Sequence, residues 1–292
     1  MELEHRNIPT NGINLHVAFA GPEDGKPVIL LHGFPEFWYG WKNQIAPFAA
    51  AGYRVIVPDQ RGYNLSDKPK GVASYHLDTL AQDIIGLMDV LGYDNTIVVG
   101  HDWGAVVAWQ LGTMYPERVT KLAILNVPHP AVMMNALRKS LRQLRKSLYV
   151  FFFQLPWLPE WVLGANGGLG GVELLKASSK RATFTEEDYD HYREAWAQTG
   201  ALTGMLNWYR SIFRENIRAS FRGSIDLPRV TVPTLMLWGM RDIALGHEMA
   251  QPSIALCDEG ELVFFENASH WLQHDEPEQV NARLLAFFAS PA

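Results

Sequence analysis

The stretch Thr96-Ile97-Val98-Val99-Gly100-His101-Asp102-Trp103-Gly104-Ala105-Val106-Val107-Ala108-Trp109-Gln110-Leu111 carries the fold class of this chain. Thr96 to Gly100 is a short apolar run of the kind that forms a buried strand. Ala105 to Leu111 is apolar at helical spacing, so it predicts a helix. The residues between them form a glycine-x-nucleophile-x-glycine turn with Asp102 at the central position. A sharp turn there lifts the aspartate off the sheet, and the two glycines let backbone crowd it. The helix N-terminus beneath stabilises a carboxylate. Taken alone, Asp102 would serve equally well as a helix cap.

Other runs of the same type lie on either side. Val28 to Leu31, Arg54 to Pro58, Lys121 to Leu125, Thr234 to Trp238 and Leu262 to Phe265 predict further buried strands. Between them, Leu77 to Leu91 places its leucines, isoleucines and Met88 on one broad helical face, and Gly92 ends the helix. Strands alternating with helices predict a mostly parallel sheet. The alternation breaks after Asn126. From about Pro128 to Ile225 the pattern is helix and loop, with Trp157, Trp161, Trp196, Trp208 and three consecutive phenylalanines. Strand patterning resumes at Val232. The reading is one α/β core, residues 1–128 and 226–292, with a helical cap at 129–225 over the C-terminal edge of the sheet.

Two more chemical groups fall at strand ends. The run ending at Trp238 leads to Gly239-Met240-Arg241-Asp242, and the run ending at Phe265 leads to Glu266-Asn267-Ala268-Ser269-His270. Nucleophile, acid and histidine in that chain order is a catalytic arrangement for a sheet of this type. His32-Gly33-Phe34-Pro35 follows the strand at Val28 to Leu31. The backbone N–H groups of Phe34 and Trp103 would converge beside Asp102, where such donors stabilise an oxyanion.

Composition excludes several alternatives. The 292 residues are 48% hydrophobic and 19% charged, with a net charge of −6, so there is no general basic field for nucleic acid. The single cysteine, Cys257, permits neither an internal disulfide nor a cysteine zinc site, and a cytoplasmic location is expected. The acidic start at Met1 to Arg6 is unlike a signal peptide. Leu148 to Leu163 is too short and too proline-broken for a membrane span. The five basic residues of Arg138 to Lys146 suit a solvated helix face, with a membrane-surface helix as the alternative. Gly164 to Gly171 reads as a flexible loop, and no metal site is expected.

The segments His32-Gly33-Phe34-Pro35-Glu36, Asp59-Gln60-Arg61-Gly62-Tyr63, Gly100 to Gly104 and His270-Trp271-Leu272-Gln273 resemble the α/β-hydrolase superfamily. With Ser147-Leu148-Tyr149 and Asn207-Trp208-Tyr209-Arg210, they resemble its soluble epoxide hydrolases. The resemblance implies an α/β-hydrolase fold, an eight-stranded mostly parallel sheet with helices on both faces. It implies hydrolysis of epoxides to diols without any cofactor. Asp102 would be the nucleophile, His270 the base and Asp242 its partner. Tyr149 and Tyr209 would activate the ring oxygen. Phe34, Pro35, Trp103, His129 and Trp271 would contact a small apolar epoxide. A monomer or homodimer is expected. Two other functions stay open. Trp103 directly after the nucleophile also suits a haloalkane or haloacid dehalogenase, and the fold also serves as a non-catalytic ligand receptor.

Overall fold

The computed structural model of the chain describes residues 3–220 and 229–291. Its apolar runs become strands β3 (Lys26–Leu31), β4 (Tyr53–Pro58), β5 (Thr96–His101), β6 (Val119–Leu125), β7 (Thr234–Gly239) and β8 (Gly260–Phe265), each parallel to its neighbours among these six. Two more strands precede them. β1 (Glu4–Thr10) and β2 (Ile13–Ala20) form an antiparallel hairpin, and β2 also lies antiparallel to β4. The sheet order is β1-β2-β4-β3-β5-β6-β7-β8. β1 shows no apolar run because it is an edge strand with mostly exposed, polar residues.

Helices α1 (Lys42–Ala50), α2 (Leu77–Leu91) and α3 (Trp103–Met114) follow β3, β4 and β5. Residues along each strand alternate between two apolar layers. On one face Val28, Leu30, Val55 and Val57 meet Ile45 and Phe48 of α1. On the other, Ile29, Leu31 and Val98 meet Ile84 and Met88 of α2 and Val107 of α3. With both faces covered, the central strands are buried throughout, which accounts for their continuous apolar runs. Gly92 ends α2 at φ 76, a conformation in which other residues are strained.

Among the described residues between β6 and Arg229 are six helices: α4 (Pro130–Lys139), α5 (Leu141–Lys146), α6 (Leu148–Phe152), α7 (Leu158–Ser178), α8 (Glu186–Ala197) and α9 (Ala201–Ser220). Among the described residues this insertion holds no strand. The expected return to the core at 225/226 lies outside the described residues. Buried bonds tie the insertion to loops at the C-terminal edge of the sheet. The Trp196 indole donates to the Pro35 carbonyl at 2.7 Å, and the Trp208 indole donates to the Arg61 carbonyl at 2.9 Å. α10 (Ala250–Ile254) joins β7 to β8, and α11 (Leu272–Asp275) and α12 (Pro277–Ala289) follow β8. Leu284 and Phe288 of α12 complete the α1 layer.

The glycine-rich stretch departs from expectation. Gly164 to Gly171 is not a free loop but lies inside α7, which kinks where Ala165 to Gly168 leave helical geometry. A small residue is needed there because a Cβ on Gly171 would come within 2.5 Å of the Trp196 ring. Among the described residues no helix is long and apolar enough to cross a membrane.

Candidate active site

Asp102 stands between the end of β5 and the start of α3, with φ 49 and ψ −123. Holding a non-glycine residue there costs on the order of 1–3 kcal/mol. Close packing enforces it. A Cβ on Gly104 would lie 2.1 Å from the Leu31 carbonyl oxygen, and one on Gly100 would lie 2.5 Å from the Gly104 carbonyl oxygen. The loop after β3 meets the turn from the other side. The Phe34 amide donates to Asp102 Oδ1 at 2.7 Å. Trp103 is the first residue of α3, so its amide has no acceptor within the helix.

His270, after β8, bridges two carboxylates. Its Nε2 lies 3.3 Å from Asp102 Oδ2, and its Nδ1 lies 2.7 Å from Asp242 Oδ2. Burial alone would push the imidazole pKa down. Asp242 and Asp102 outweigh burial and push it up to about 10. Burial also works against both carboxylates, yet His270 holds each below the usual aspartate range. Asp242 is further fixed by the amides of Ala244 and Leu245, which donate to Oδ1 at 2.7 and 2.8 Å.

Sequence reasoning missed Asn126. It is fully buried, at φ 58, just after β6. Its side-chain amide donates to Asp242 Oδ2 at 2.8 Å and to the Ser269 carbonyl at 3.1 Å, while its Oδ1 accepts from the Gly239 amide at 2.8 Å. One side chain thus sets the loop after β7 against the loop after β8. The available signal was an asparagine at a strand end, a residue that tolerates left-handed backbone.

Glu36 and His101 support the same loops. The Glu36 carboxylate is 1% exposed and lies 2.8 Å from His274 Nε2 and 3.4 Å from His101 Nδ1, and it accepts from the Tyr192 hydroxyl at 2.7 Å. Burial opposes its ionisation, but the two histidines hold its pKa well below the usual range. His101 Nε2 lies 2.8 Å from the His270 carbonyl, within hydrogen-bond reach.

A cavity of about 340 Å³ opens beside Asp102. Trp103, Tyr149 and Tyr209 line it, with an apolar wall that includes Met133, Leu137 and Phe213. Among the described residues no lysine, arginine or histidine lines it. Tyr149 comes from α6 and Tyr209 from α9, their rings edge to face at 6.0 Å. Burial, reinforced by nearby Asp102, holds both phenols above their ordinary pKa, so both are protonated at neutral pH. Arg210 fixes this corner. Its guanidinium makes a two-pronged bond to Glu160 at 2.7 and 3.0 Å and donates to the Phe153 and Leu155 carbonyls at 2.9 and 2.7 Å.

Four of the five expected substrate contacts do not line the cavity. Pro35 presents its carbonyl to Trp196. His129 caps α4, its Nδ1 accepting from the Ala131 amide at 3.3 Å, and burial lowers its pKa to about 4. The Trp271 indole turns away to donate to the Ser178 hydroxyl at 3.1 Å. Phe34 lies outside the lining too, but its ring packs on Tyr209 at 5.2 Å. No cluster of three or more histidine, cysteine or acidic residues among the described residues could hold a metal ion.

Sheet order, the turn that carries Asp102 and the loop that carries His270 are those of an α/β-hydrolase, and residues 26–152 match the family model described as the alpha/beta hydrolase fold. The chain belongs to the epoxide hydrolase family of that fold. It is 40% identical to human Epoxide hydrolase 4, over 96% of this chain and 77% of that protein. It is 49% identical to AB hydrolase superfamily protein YfhM of Bacillus subtilis, over 96% of each chain. The crystal structure of an inhibitor-bound Bacillus megaterium epoxide hydrolase superposes with a TM-score of 0.89 at 32% identity, over 98% of this chain and all of that one.

Proposed function

We propose that this chain hydrolyses epoxides to vicinal diols through an ester on Asp102. The observation that carries the reading is a carboxylate 3.3 Å from an imidazole, in one cavity with two protonated tyrosines. Asp102 Oδ1 is engaged by the Phe34 amide, which leaves Oδ2 as the attacking oxygen. Oδ2 forms a bond to an epoxide carbon as the carbon–oxygen bond of the ring breaks. The ring oxygen takes a proton from Tyr149 or Tyr209 and becomes a hydroxyl. Oδ1 is then the carbonyl oxygen of a hydroxyalkyl ester, already held by a donor.

Esterification neutralises Asp102. One of the two anions that raise the His270 pKa is thereby lost, so the imidazole gives its proton back to the tyrosine that ring opening left deprotonated and can act as a base. It takes a proton from water, which attacks the Asp102 carbonyl carbon. Negative charge develops on Oδ1, beside the Phe34 amide and the first-turn amide of Trp103. Collapse breaks the bond to the alkyl oxygen, which takes the remaining proton of the attacking water and leaves as the second hydroxyl of the diol, restoring the Asp102 carboxylate. Asp242 orients the imidazole throughout.

His270→Gln tests the scheme. Intact mass after exposure to styrene oxide should show protein plus one epoxide, stable for hours, in place of turnover. A folded variant that binds the epoxide but gains no mass would overturn it. Trp103 in the cavity wall keeps halide displacement as a second reading, so haloalkane and haloacetate belong in the same panel with halide release followed.

A further inference from the structure

The insertion carries a surface that the reaction does not use. Of the large hydrophobic side chains that the described residues leave exposed, most come from Leu141 to Leu169. Trp157 is 78% exposed, Leu141 75%, Trp161 69%, Leu148 57% and Phe151 47%. Trp157 also sits at φ 48, left-handed backbone that is strained for tryptophan, with little burial to offset it. The same stretch begins with exposed Arg138, Lys139, Arg142 and Arg145. Among the described residues none of these four has a carboxylate partner. A local concentration of free cations stands out in a chain whose net charge is −6.

We propose that residues 138–162 dock the protein onto an anionic lipid surface. Tryptophan beside leucine and phenylalanine, flanked by arginine and lysine, is the composition that partitions into the headgroup layer. Charge selects the lipid over a second copy of the chain. Self-association through this face would bring two sets of unpaired cations together, whereas anionic headgroups neutralise them. The face is continuous with the cavity. Leu144, Tyr149, Val150 and Phe151 belong to the same stretch and line the cavity wall. An apolar substrate dissolved in the bilayer would therefore leave it close to Asp102.

The test is co-sedimentation of the full chain with vesicles, which reads binding without reference to turnover. Vesicles of phosphatidylcholine with 30–40% phosphatidylglycerol (roughly the range where surface charge dominates) should pull the protein down, and raised salt should release it. Pure phosphatidylcholine should bind far less. Replacing Arg138, Arg142 and Arg145 with glutamine should weaken binding about fivefold per cation. Trp157→Ala with Trp161→Ala should weaken it at least tenfold, with hydrolysis of a water-soluble epoxide unchanged. Protein that stays in the supernatant with both vesicle types overturns the proposal, as does binding that ignores both sets of substitutions. A dimer in sedimentation velocity that the tryptophan variant converts to monomer, without vesicle binding, would assign the face to a second copy.

Discussion

His270 lies between two carboxylates, and the two half-reactions of the proposed scheme would ask opposite things of it. In the resting protein its pKa is raised to about 10, so the ring is cationic and paired. Attack by Asp102 needs only an ionised carboxylate, and that carboxyl lies below its ordinary value. Ester formation should therefore be flat from about pH 6 to pH 9 in stopped-flow tryptophan fluorescence. Ester hydrolysis needs the neutral ring. Its rate should rise with pH until it levels at a pKa below 10, because the ester has removed one anion. A hydrolysis rate that falls with rising pH would remove His270 as the base. The same shift acts on folding. A histidine raised from 6.5 to about 10 stabilises the native state fully below pH 6.5, and this contribution is lost as pH rises through 10. Tyr209→Phe tests the other end of the first step. It should slow ester formation about 100-fold and leave ester hydrolysis near normal, the low end of the range for a lost general acid because Tyr149 remains.

Between elements, the corner of α6, α7 and α9 depends on Arg210. Its partner Glu160 is only partly buried, so the pair is worth less than a fully buried one. Arg210→Met should cost about 2 kcal/mol and lower Tm by several degrees, with a larger rise in KM than fall in kcat as the tyrosines lose their support. Calorimetry and steady-state kinetics read both. The Asn207-Trp208-Tyr209-Arg210 motif was visible in the sequence, but not the division of labour within it. Trp208 bonds to a core carbonyl, Tyr209 faces the cavity and Arg210 grips two neighbouring helices. Strand ends were legible because parallel strands are continuous apolar runs bounded by polar turns. That put Asp102, Asp242 and His270 at one edge of the sheet. Side-chain direction in the connecting loops was not legible. Trp271 adjoins His270 in sequence yet points to Ser178, because the partner that sets its orientation lies 93 residues away. Asn126 went unnoticed for the same reason, since its three bonds reach segments more than 100 residues distant.

At the scale of the whole molecule, charge and shape select the substrate. The cavity lining offers an anion, Asp102, and among the described residues no cation, while the nearby His270 is already paired with two carboxylates. A substrate carboxylate would have to desolvate there without a counter-charge. Styrene oxide should exceed phenylglycidate in kcat/KM by at least a hundredfold (about 3 kcal/mol), and the methyl ester of phenylglycidate should recover most of the difference. Equal rates for acid and ester would mean that a cation reaches the bound substrate. The insertion between β6 and β7 has a further consequence, during synthesis. Asp102 leaves the ribosome well before His270, by roughly ten to thirty seconds at about 5–20 residues per second. A nascent chain thus carries the group that can be alkylated before it carries the one that reverses alkylation. The intervening residues include most of the cavity wall, and Leu245 of that wall follows β7. On the proposed scheme the cavity wall stays incomplete until the chain has passed β7 and Leu245, so late completion of the apolar site would limit irreversible self-modification of an unfinished chain.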